Sequence, residues 1–184
     1  MPMLCTRRFE LRPMVLDDLT WYATFAGDAE VMRYIGQAGP LSLAQATERL
    51  ARYVRCWEEH GLGMFSVRLR DEEPSVGWAG LQPLTGTDEI EVGYAFGRSA
   101  WGRGYATEVA GEVVRWGFEE LALERIVAVA SPENGSSRRV MDKLGMRYEG
   151  MRPGSGPDSV YYSLTPAAFT RAASLRALAR EMTP

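Results

Sequence analysis

The first half of the chain carries one strand pattern, two helix patterns and then three further strand patterns. Apolar and polar residues alternate over residues 7–14, which predicts a strand. A short helix is predicted after it, with Asp17 or Asp18 as its cap. Ser42 opens a longer helix, in which apolar residues recur every three or four positions until Gly61. Turn-like breaks separate three strand-like runs, which predict an antiparallel meander over residues 63–71, 75–84 and 89–97.

The second half switches to a helix–strand–helix pattern and ends on two strands and a helix. A helical pattern covers residues 105–121, a buried strand is predicted over 125–130, and Asn134 opens a further helix that Gly145 stops. A last helix begins with a threonine cap and a proline in its first turn. The pattern predicts a single mixed α/β domain over residues 1–184, with two late strands at 147–152 and 159–165.

Composition is that of a globular protein and argues against several partners. Of the 184 residues, 46% are hydrophobic and 24% charged, and the formal net charge is −3 with a pI of about 5.4. A general nucleic-acid surface would be basic, so no nucleic-acid partner is expected. Cys5, Cys56 and His60 are too few ligands for a zinc site, so no metal is expected. No apolar run is long enough for a signal peptide or a membrane span, which predicts no membrane partner and a cytoplasmic location.

The segment WGRGYATE, residues 101–108, places two glycines around an arginine just where a helix begins. N–H groups at a helix start have no partners within the helix and carry partial positive charge. Glycine lets such a backbone adopt positive φ and approach a phosphate, and Arg103 adds a positive charge. The segment therefore predicts a cradle for a pyrophosphate, with glycines that only shape a loop as the alternative. A Walker loop is excluded because Tyr105 stands where it needs lysine, and Thr107 replaces the third glycine of a Rossmann fingerprint.

In this segment the chain resembles motif A of the GNAT superfamily, the acetyl-CoA-dependent N-acetyltransferases. That motif reads Gln/Arg-x-x-Gly-x-Gly/Ala and aligns with residues 101–106. Trp101 departs from its first position, as is usual in the Rim-type branch of ribosomal-protein N-terminal acetyltransferases. Other stretches resemble the same branch in order along the chain, namely RRFELRPMVLDDL, IEVGYAFGRSA, ENGSSRRVMDKLGMRYEG and VYYSLTPAAF. The resemblance spans residues 7–169, and a C-terminal helical extension, residues 170–184, lies outside it.

The resemblance implies a fold and a place for acetyl-CoA. The fold would be a central, mostly antiparallel sheet of about seven strands, with helices on both faces and a splayed strand pair that admits the coenzyme. A bulge at Gly93 would open that slot, unless Gly93 only packs against a neighbouring aromatic ring. Backbone groups of the preceding strand would pair with pantetheine, and loop amides would hold the pyrophosphate. The implied coenzyme contacts are Tyr94, Ala95, Phe96, Trp101, Gly102, Arg103, Gly104, Tyr105, Ala106, Thr107, Asn134 and Ser137.

The resemblance also implies catalytic roles for three side chains. Ser137, three residues after Asn134, would protonate the departing thiolate, and Asn134 would orient pantetheine. The alternative is that Asn134 only caps its helix. Glu91 would accept the proton of the amine, with Glu89 and Asp158 as alternative bases.

These residues imply an enzyme that transfers an acetyl group from acetyl-CoA to a primary amine, first of all a protein N-terminal amine. A small-molecule amine, such as a polyamine, an amino acid or an amino sugar, is the alternative acceptor. Met141 stands where many family members carry a proton-donating tyrosine, so a non-catalytic acyl-CoA sensor is a further alternative. A nucleotide-dependent oxidoreductase is the remaining one, and the protein would be a monomer or a homodimer. Five aromatic side chains would line an acceptor pocket or form core: Trp21, Tyr22, Phe25, Tyr34 and Trp78.

Overall fold

Strands and helices follow one another along the chain much as its apolar pattern predicts. The computed structural model describes residues 2–36, 39–70, 72–154 and 156–181. The strands in these ranges are β1 Leu4–Cys5, β2 Phe9–Pro13, β3 Met64–Leu69, β4 Gly77–Pro83, β5 Ile90–Phe96, β6 Ile126–Ala130, β7 Arg147–Gly154 and β8 Gly156–Leu164. The helices are α1 Leu19–Ala26, α2 Ala29–Met32, α3 Leu43–His60, α4 Tyr105–Glu119, α5 Gly135–Leu144 and α6 Pro166–Glu181.

Within the described ranges, eight strands form one sheet in the order β1-β2-β3-β4-β5-β6-β8-β7. The sheet is mostly antiparallel, with helices on both faces, and β5 and β6 run parallel because α4 carries the chain from one to the other. The mixed α/β fold expected from the sequence is confirmed. One strand more than expected is present, the two-residue β1, which is too short to produce an alternating pattern.

The described chain divides into two compact units. Residues 2–82 and 92–114 form the first unit, and residues 83–91 and 115–181 form the second. Strand β5 contributes its last five residues to the first unit and its first two to the second. The glycine-rich segment therefore belongs to the first unit, and helix α5 belongs to the second.

In the first unit, α3 packs against the core because its sequence is amphipathic and capped at both ends. Ser42 N–H donates to Oε1 of Gln45 at 2.9 Å, and Gln45 N–H donates to Oγ of Ser42 at 3.3 Å, which makes a reciprocal capping box. Gly61 ends the helix, as its position in the sequence predicts. The buried residues of α3 are Ala46, Leu50, Tyr53 and Trp57.

The aromatic candidates for an acceptor pocket contribute to the core of the first unit. Tyr22 and Trp78 are buried members of one hydrophobic cluster, and Trp21 and Phe25 pack against it. Tyr34 is half-buried. Four of the five aromatic candidates, all except Tyr34, are therefore part of the hydrophobic core or pack against it.

Asp18 stands at the start of α1, but its side chain does not cap that helix. Its carboxylate accepts from Arg12 Nη2 at 2.6 Å and Nη1 at 2.9 Å, from Val15 N–H at 2.9 Å, and from Trp21 Nε1 at 2.8 Å. Burial by itself raises the pKa of Asp18, but the hydrogen bonds, led by that from Arg12, outweigh burial and lower the pKa overall. Asp18 therefore does not cap α1, as one of the two expected caps would, but its bond from Val15 N–H caps the 3-10 turn, residues 16–18, that leads into α1.

The second unit is built on β6, β8 and β7. Strand β6 pairs with β8 in antiparallel fashion over Ile126–Ala130, and β8 pairs with β7 in an irregular register. The start of β5 lies beside β6, with Glu91 opposite Val127 in the parallel pair. Helix α5 begins after Asn134 and ends at Gly145, as predicted.

Helix α6 packs onto the end of α5 through small residues. A Cβ built on Gly145 would lie 2.5 Å from the Cβ of Ala172, so the two positions meet without room for a side chain at residue 145. The ring of Phe169, also on α6, lies 5.9 Å from that of Phe118 on α4. The extension beyond the family resemblance therefore begins inside a helix that is packed against the second unit.

Candidate active site

The glycine-rich segment forms the connection between β5 and α4. The chain leaves β5 at Phe96, makes a 3-10 turn over Arg98–Ala100 and enters α4 at Tyr105. Gly102 and Gly104 have φ of 74° and 73°, in the left-handed region that residues with a side chain rarely adopt. No atom of the described residues lies within 4 Å of a Cβ built at either position. The backbone conformation, and not crowding, therefore requires the two glycines, which confirms the positive φ expected from the sequence.

The start of α4 presents backbone donors beside this exposed loop. Glu108 N–H donates to the carbonyl of Gly104 at 3.2 Å and closes the first turn. The N–H groups of residues 105–107 precede that bond, so they have no partner within the helix. The helix start adds partial positive charge to them, and residues 101–104 are exposed. N–H donors without helical partners, partial positive charge and an exposed loop together suit a diphosphate.

Trp101 fastens the loop to the end of β5. Its indole Nε1 donates to the carbonyl of Phe96 at 2.6 Å, while the ring remains 49% exposed. Ala95 and Phe96 are buried, whereas Tyr94 is half-buried. The loop thus leaves the strand at a fixed point, and the side chain of Arg103 lies on the exposed part of it.

Gly93 packs against the core of the first unit. A Cβ built on Gly93 would lie 3.3 Å from Cε of Met64 and 3.3 Å from Cζ3 of Trp78. The alternative in which Gly93 packs against a neighbouring aromatic ring therefore describes a contact that is present. The bulge expected at this position stays a prediction.

The inner side of the loop is fixed by Tyr105 and by two residues that the sequence did not point to, Arg8 and Glu108. The side chain of Tyr105 is buried, with its ring 4.8 Å from that of Phe9 and 4.5 Å from the guanidinium carbon of Arg8. Arg8 also forms an ion pair with Glu108, with 2.7 Å between Nη2 and Oε2. The sequence offered one signal for this pair, the opposite charges of Arg8 and Glu108. A glutamate in the first turn of a helix suits the helix dipole and attracts a cation.

In the second unit, Asn134 caps α5 as its alternative interpretation states. Its Oδ1 accepts from Ser137 N–H at 3.0 Å, so Ser137 is held at a fixed position in the first turn. Met141 is buried at 1% exposure on the inner face of the same helix. The pantetheine contact of Asn134 and the proton transfer by Ser137 stay predictions.

Glu91 lies in β5 and Glu89 lies just before that strand, and their surroundings differ. Glu89 accepts from the hydroxyl of Tyr161 at 2.5 Å, and its carboxylate lies 3.5 Å from both Arg125 and Arg152. Burial, followed by the hydrogen bond to Glu89, raises the pKa of Tyr161 to about 12. Glu89 is thus part of an ionic network, whereas Glu91 lies in the parallel pair with β6. Asp158, the third candidate base, is exposed on β8.

The structure distributes the sequence-predicted site residues over both units. The coenzyme candidates at residues 94–96 and 101–107 lie in the first unit. The catalytic candidates Glu91, Asn134 and Ser137 lie in the second unit. Asn134 follows the end of β6 by four residues, and Glu91 pairs with the same strand.

Neither a metal cluster nor a membrane helix emerges from the described residues. Over these ranges, no three His, Cys, Asp or Glu side chains are grouped so that they could hold a metal ion. Over the same ranges, every helix is too short or too polar to cross a bilayer.

Comparisons with known proteins identify relatives along most of the chain. Residues 8–147 match the family described as acetyltransferase (GNAT) domain. The Uncharacterized N-acetyltransferase YnaD of Bacillus subtilis (strain 168) is 32% identical over 147 residues, which cover 80% of this chain and 84% of that protein. The FsC-acetyl coenzyme A-N(2)-transacetylase of Aspergillus fumigatus is 30% identical over 187 residues, covering 92% of this chain and 79% of that protein.

A solved structure supports the same relationship at the level of the backbone. The acetyltransferase from Agrobacterium tumefaciens str. C58 is 28% identical and covers 89% of this chain and 94% of its own, with a TM-score of 0.80. That likeness agrees with the mixed α/β fold of the chain.

Proposed function

The chain belongs to the GNAT family of acetyltransferases, and on that premise we propose that it transfers the acetyl group of acetyl-CoA to a primary amine. The observation that carries the proposal is the pair of left-handed glycines before α4, Gly102 and Gly104. They form the exposed turn that leads into the helix start, whose first N–H groups have no partner within the helix. A diphosphate satisfies such donors, and the pyrophosphate of coenzyme A is the one this family uses.

The remaining coenzyme contacts are proposed along β5. The backbone of Tyr94, Ala95 and Phe96 would pair with the pantetheine arm as an added strand. Among these groups, the carbonyl of Phe96 accepts from the indole of Trp101. Pairing of this kind requires a gap beside the strand, which is the splayed pair implied by the family resemblance.

The reaction would be a direct transfer. The amine nitrogen forms a bond to the acetyl carbon, the carbon–sulfur bond breaks, one amine proton goes to a base, and the thiolate receives a proton. Glu91 is proposed as that base, because it lies two residues before Gly93 in β5 and so shares a strand face with Gly93 and Ala95. Ser137 is proposed as the donor to the thiolate, since Asn134 fixes its backbone.

The acceptor is proposed to be a protein N-terminal amine. This proposal rests on the Rim-type features of the sequence, with Trp101 at the first motif position and Ser137 three residues after Asn134. A small-molecule amine is the second candidate, and the name of the Aspergillus fumigatus relative, an acetyl coenzyme A-N(2)-transacetylase, favours it.

Two measurements test the proposal. Calorimetric titration with coenzyme A should show saturable binding, and titration with NAD should show none. Release of free thiol from acetyl-CoA should then be measured against N-terminal peptides, polyamines, amino acids and amino sugars. Turnover with peptides supports the proposed acceptor, and turnover only with small amines supports the second. Binding without turnover on the full panel would favour the sensor, and binding of NAD alone would favour an oxidoreductase.

Ser137→Ala is expected to lower kcat about 10²-fold while leaving the affinity for acetyl-CoA nearly unchanged. The reason is that a proton donor to the leaving thiolate acts mainly in the transition state. Steady-state kinetics and calorimetry measure the two quantities. Ser136→Ala is the matched control, because Ser136 is exposed in the same turn and contacts Arg139. Equal kcat in the two variants would remove the role of Ser137.

Glu91→Gln is expected to lower kcat about 10²-fold at pH 7 and less at higher pH. The pKa of an α-amine is about 7.7–8.0, so above that range most of the amine is already neutral and the reaction depends less on a base. The pH dependence of kcat with an N-terminal peptide measures this. A pH-dependent loss in Glu89→Gln, with none in Glu91→Gln, would transfer the role of base to Glu89.

A further inference from the structure

Arg8 connects three parts of the glycine-rich segment at once. Its Nε and Nη2 both lie 2.7 Å from Oε2 of Glu108, in the first turn of α4. Its Nη1 donates to the carbonyl of Arg103 at 3.3 Å, between the two left-handed glycines. Its guanidinium carbon lies 4.5 Å above the ring of Tyr105, within the range of a cation–π contact.

Glu108 in turn fastens this arrangement to the segment before β2. Its Oε1 accepts from Oγ1 of Thr6 at 2.7 Å and from the N–H of Arg8 at 3.1 Å. Burial raises the pKa of Glu108, but the hydrogen bonds from Thr6 and Arg8 outweigh burial and lower the pKa overall. The carboxylate therefore stays charged and fully engaged at neutral pH.

The direction of the Arg103 carbonyl decides where the next N–H points. A peptide unit is planar and trans, so the carbonyl of Arg103 and the N–H of Gly104 point in opposite directions. Because that carbonyl accepts from Arg8, the N–H of Gly104 points away from Arg8. Glycines on both sides of Arg103 would otherwise allow this peptide unit to rotate easily, since glycine restricts φ and ψ least.

We propose that Arg8 and Glu108 are positioning residues that hold the Gly102–Gly104 loop in the conformation that grips a diphosphate. The inference rests on the proposed function for the identity of that ligand. Without the guanidinium, the loop divides its time among several conformations. The apparent dissociation constant for the coenzyme rises in inverse proportion to the competent fraction.

The test compares Arg8→Gln with Arg68→Gln. Arg68 forms a matched pair with Glu10, with Nη2 2.6 Å from Oε2, and the side chains of this pair are 37% and 28% exposed. The side chains of Arg8 and Glu108 are 32% and 22% exposed. Arg68 also pairs with Glu73, whose side chain is 70% exposed, so Arg68→Gln removes at least as much ion pairing as Arg8→Gln. Among the described hydrogen bonds of these two arginines, those of Arg8 reach the glycine-rich segment and those of Arg68 do not.

Three quantities are measured for both variants: the dissociation constant for coenzyme A, the free energy of unfolding in urea, and the rate of trypsin cleavage after Arg103. Arg8→Gln is expected to weaken binding about tenfold, if the competent fraction falls to about a tenth, and to raise KM without lowering kcat. It should also speed cleavage after Arg103, because proteases need a mobile loop. Arg68→Gln should change stability by a similar amount and leave the other two quantities as in the parent protein.

Arg8→Lys separates loop positioning from simple pairing. An ammonium group can pair with Glu108 but cannot fork to Glu108 and the Arg103 carbonyl in one plane. This variant should therefore recover stability more fully than affinity. Cleavage after Arg103 in Arg8→Gln at the rate of Arg68→Gln would overturn the inference. If the parent protein does not bind coenzyme A, the proposed function fails, and the cleavage rates still decide whether Arg8 holds the loop.

Discussion

Gly104→Leu is expected to abolish measurable coenzyme A binding while the protein stays folded. The φ of 73° at this position costs a side chain about 1–2 kcal/mol, and the backbone can relieve that strain by rotating out of the left-handed region. Such a rotation turns the N–H of Gly104 away from its present direction. Any leucine side chain that remains would occupy the open space beside the helix start, where the diphosphate is proposed to bind.

The matched control is Gly86→Leu. Gly86 has φ of 79°, and no described atom lies within 4 Å of a Cβ built there, so the strain and the freedom from clashes are alike. Gly86 lies in the turn between β4 and β5, outside the glycine-rich segment. Calorimetry with coenzyme A and thermal unfolding should be run on both variants. Unchanged affinity in Gly104→Leu would refute the cradle, because backbone conformation is the basis of the assignment.

Asp18→Asn is expected to produce the largest loss of stability, about 3 kcal/mol in the free energy of unfolding. The side chain is 1% exposed, and its two oxygens accept four hydrogen bonds, two of them from Arg12. The amide group has one oxygen and brings two donors, so it cannot replace these bonds. Urea unfolding followed by tryptophan fluorescence measures the loss. Arg12→Gln provides a second estimate, because it leaves the buried carboxylate without its cation.

The effect of Asp18 should depend on pH in one direction. Its pKa in the folded protein is below the ordinary value of about 3.9, so its contribution to stability is complete above about pH 4. The contribution disappears as the pH falls through the folded-state pKa. The difference in stability between the parent protein and Asp18→Asn should therefore shrink below about pH 4. Asp28→Asn is the comparison, since Asp28 caps α2 and pairs with Arg98 at a more exposed position, and its difference should change in the same direction but by less. A difference that stays constant down to pH 2 would contradict the assignment.

The elements with local signals could be predicted from the sequence. Helix α3 is marked by the cap at Ser42, by its apolar periodicity and by Gly61, and all three signals lie within the helix and its two caps. The left-handed backbone at Gly102 and Gly104 could also be predicted locally, because the conformational freedom is a property of glycine itself. Local signals of this kind determine where an element begins and ends without knowledge of its neighbours.

The contacts between distant segments could not be predicted. Arg8 and Glu108 are 100 residues apart, and a pair of charges leaves no periodic pattern in the sequence. Asp18 shows the converse difficulty, because a carboxylate near a helix start resembles a cap until its neighbours are known. The loop that is proposed to bind the coenzyme could be identified from its own residues, whereas Arg8 and Glu108, which are proposed to hold its conformation, could not.

The contact between Gly145 and Ala172 makes the start of the C-terminal extension part of the packing around α5. Residue 172 lies past the last position that resembles the family, yet its methyl group covers the end of α5 so closely that residue 145 cannot gain a side chain without displacement. Shortened versions of the protein should therefore retain the chain through at least Ala172, and fusion partners are better attached beyond it.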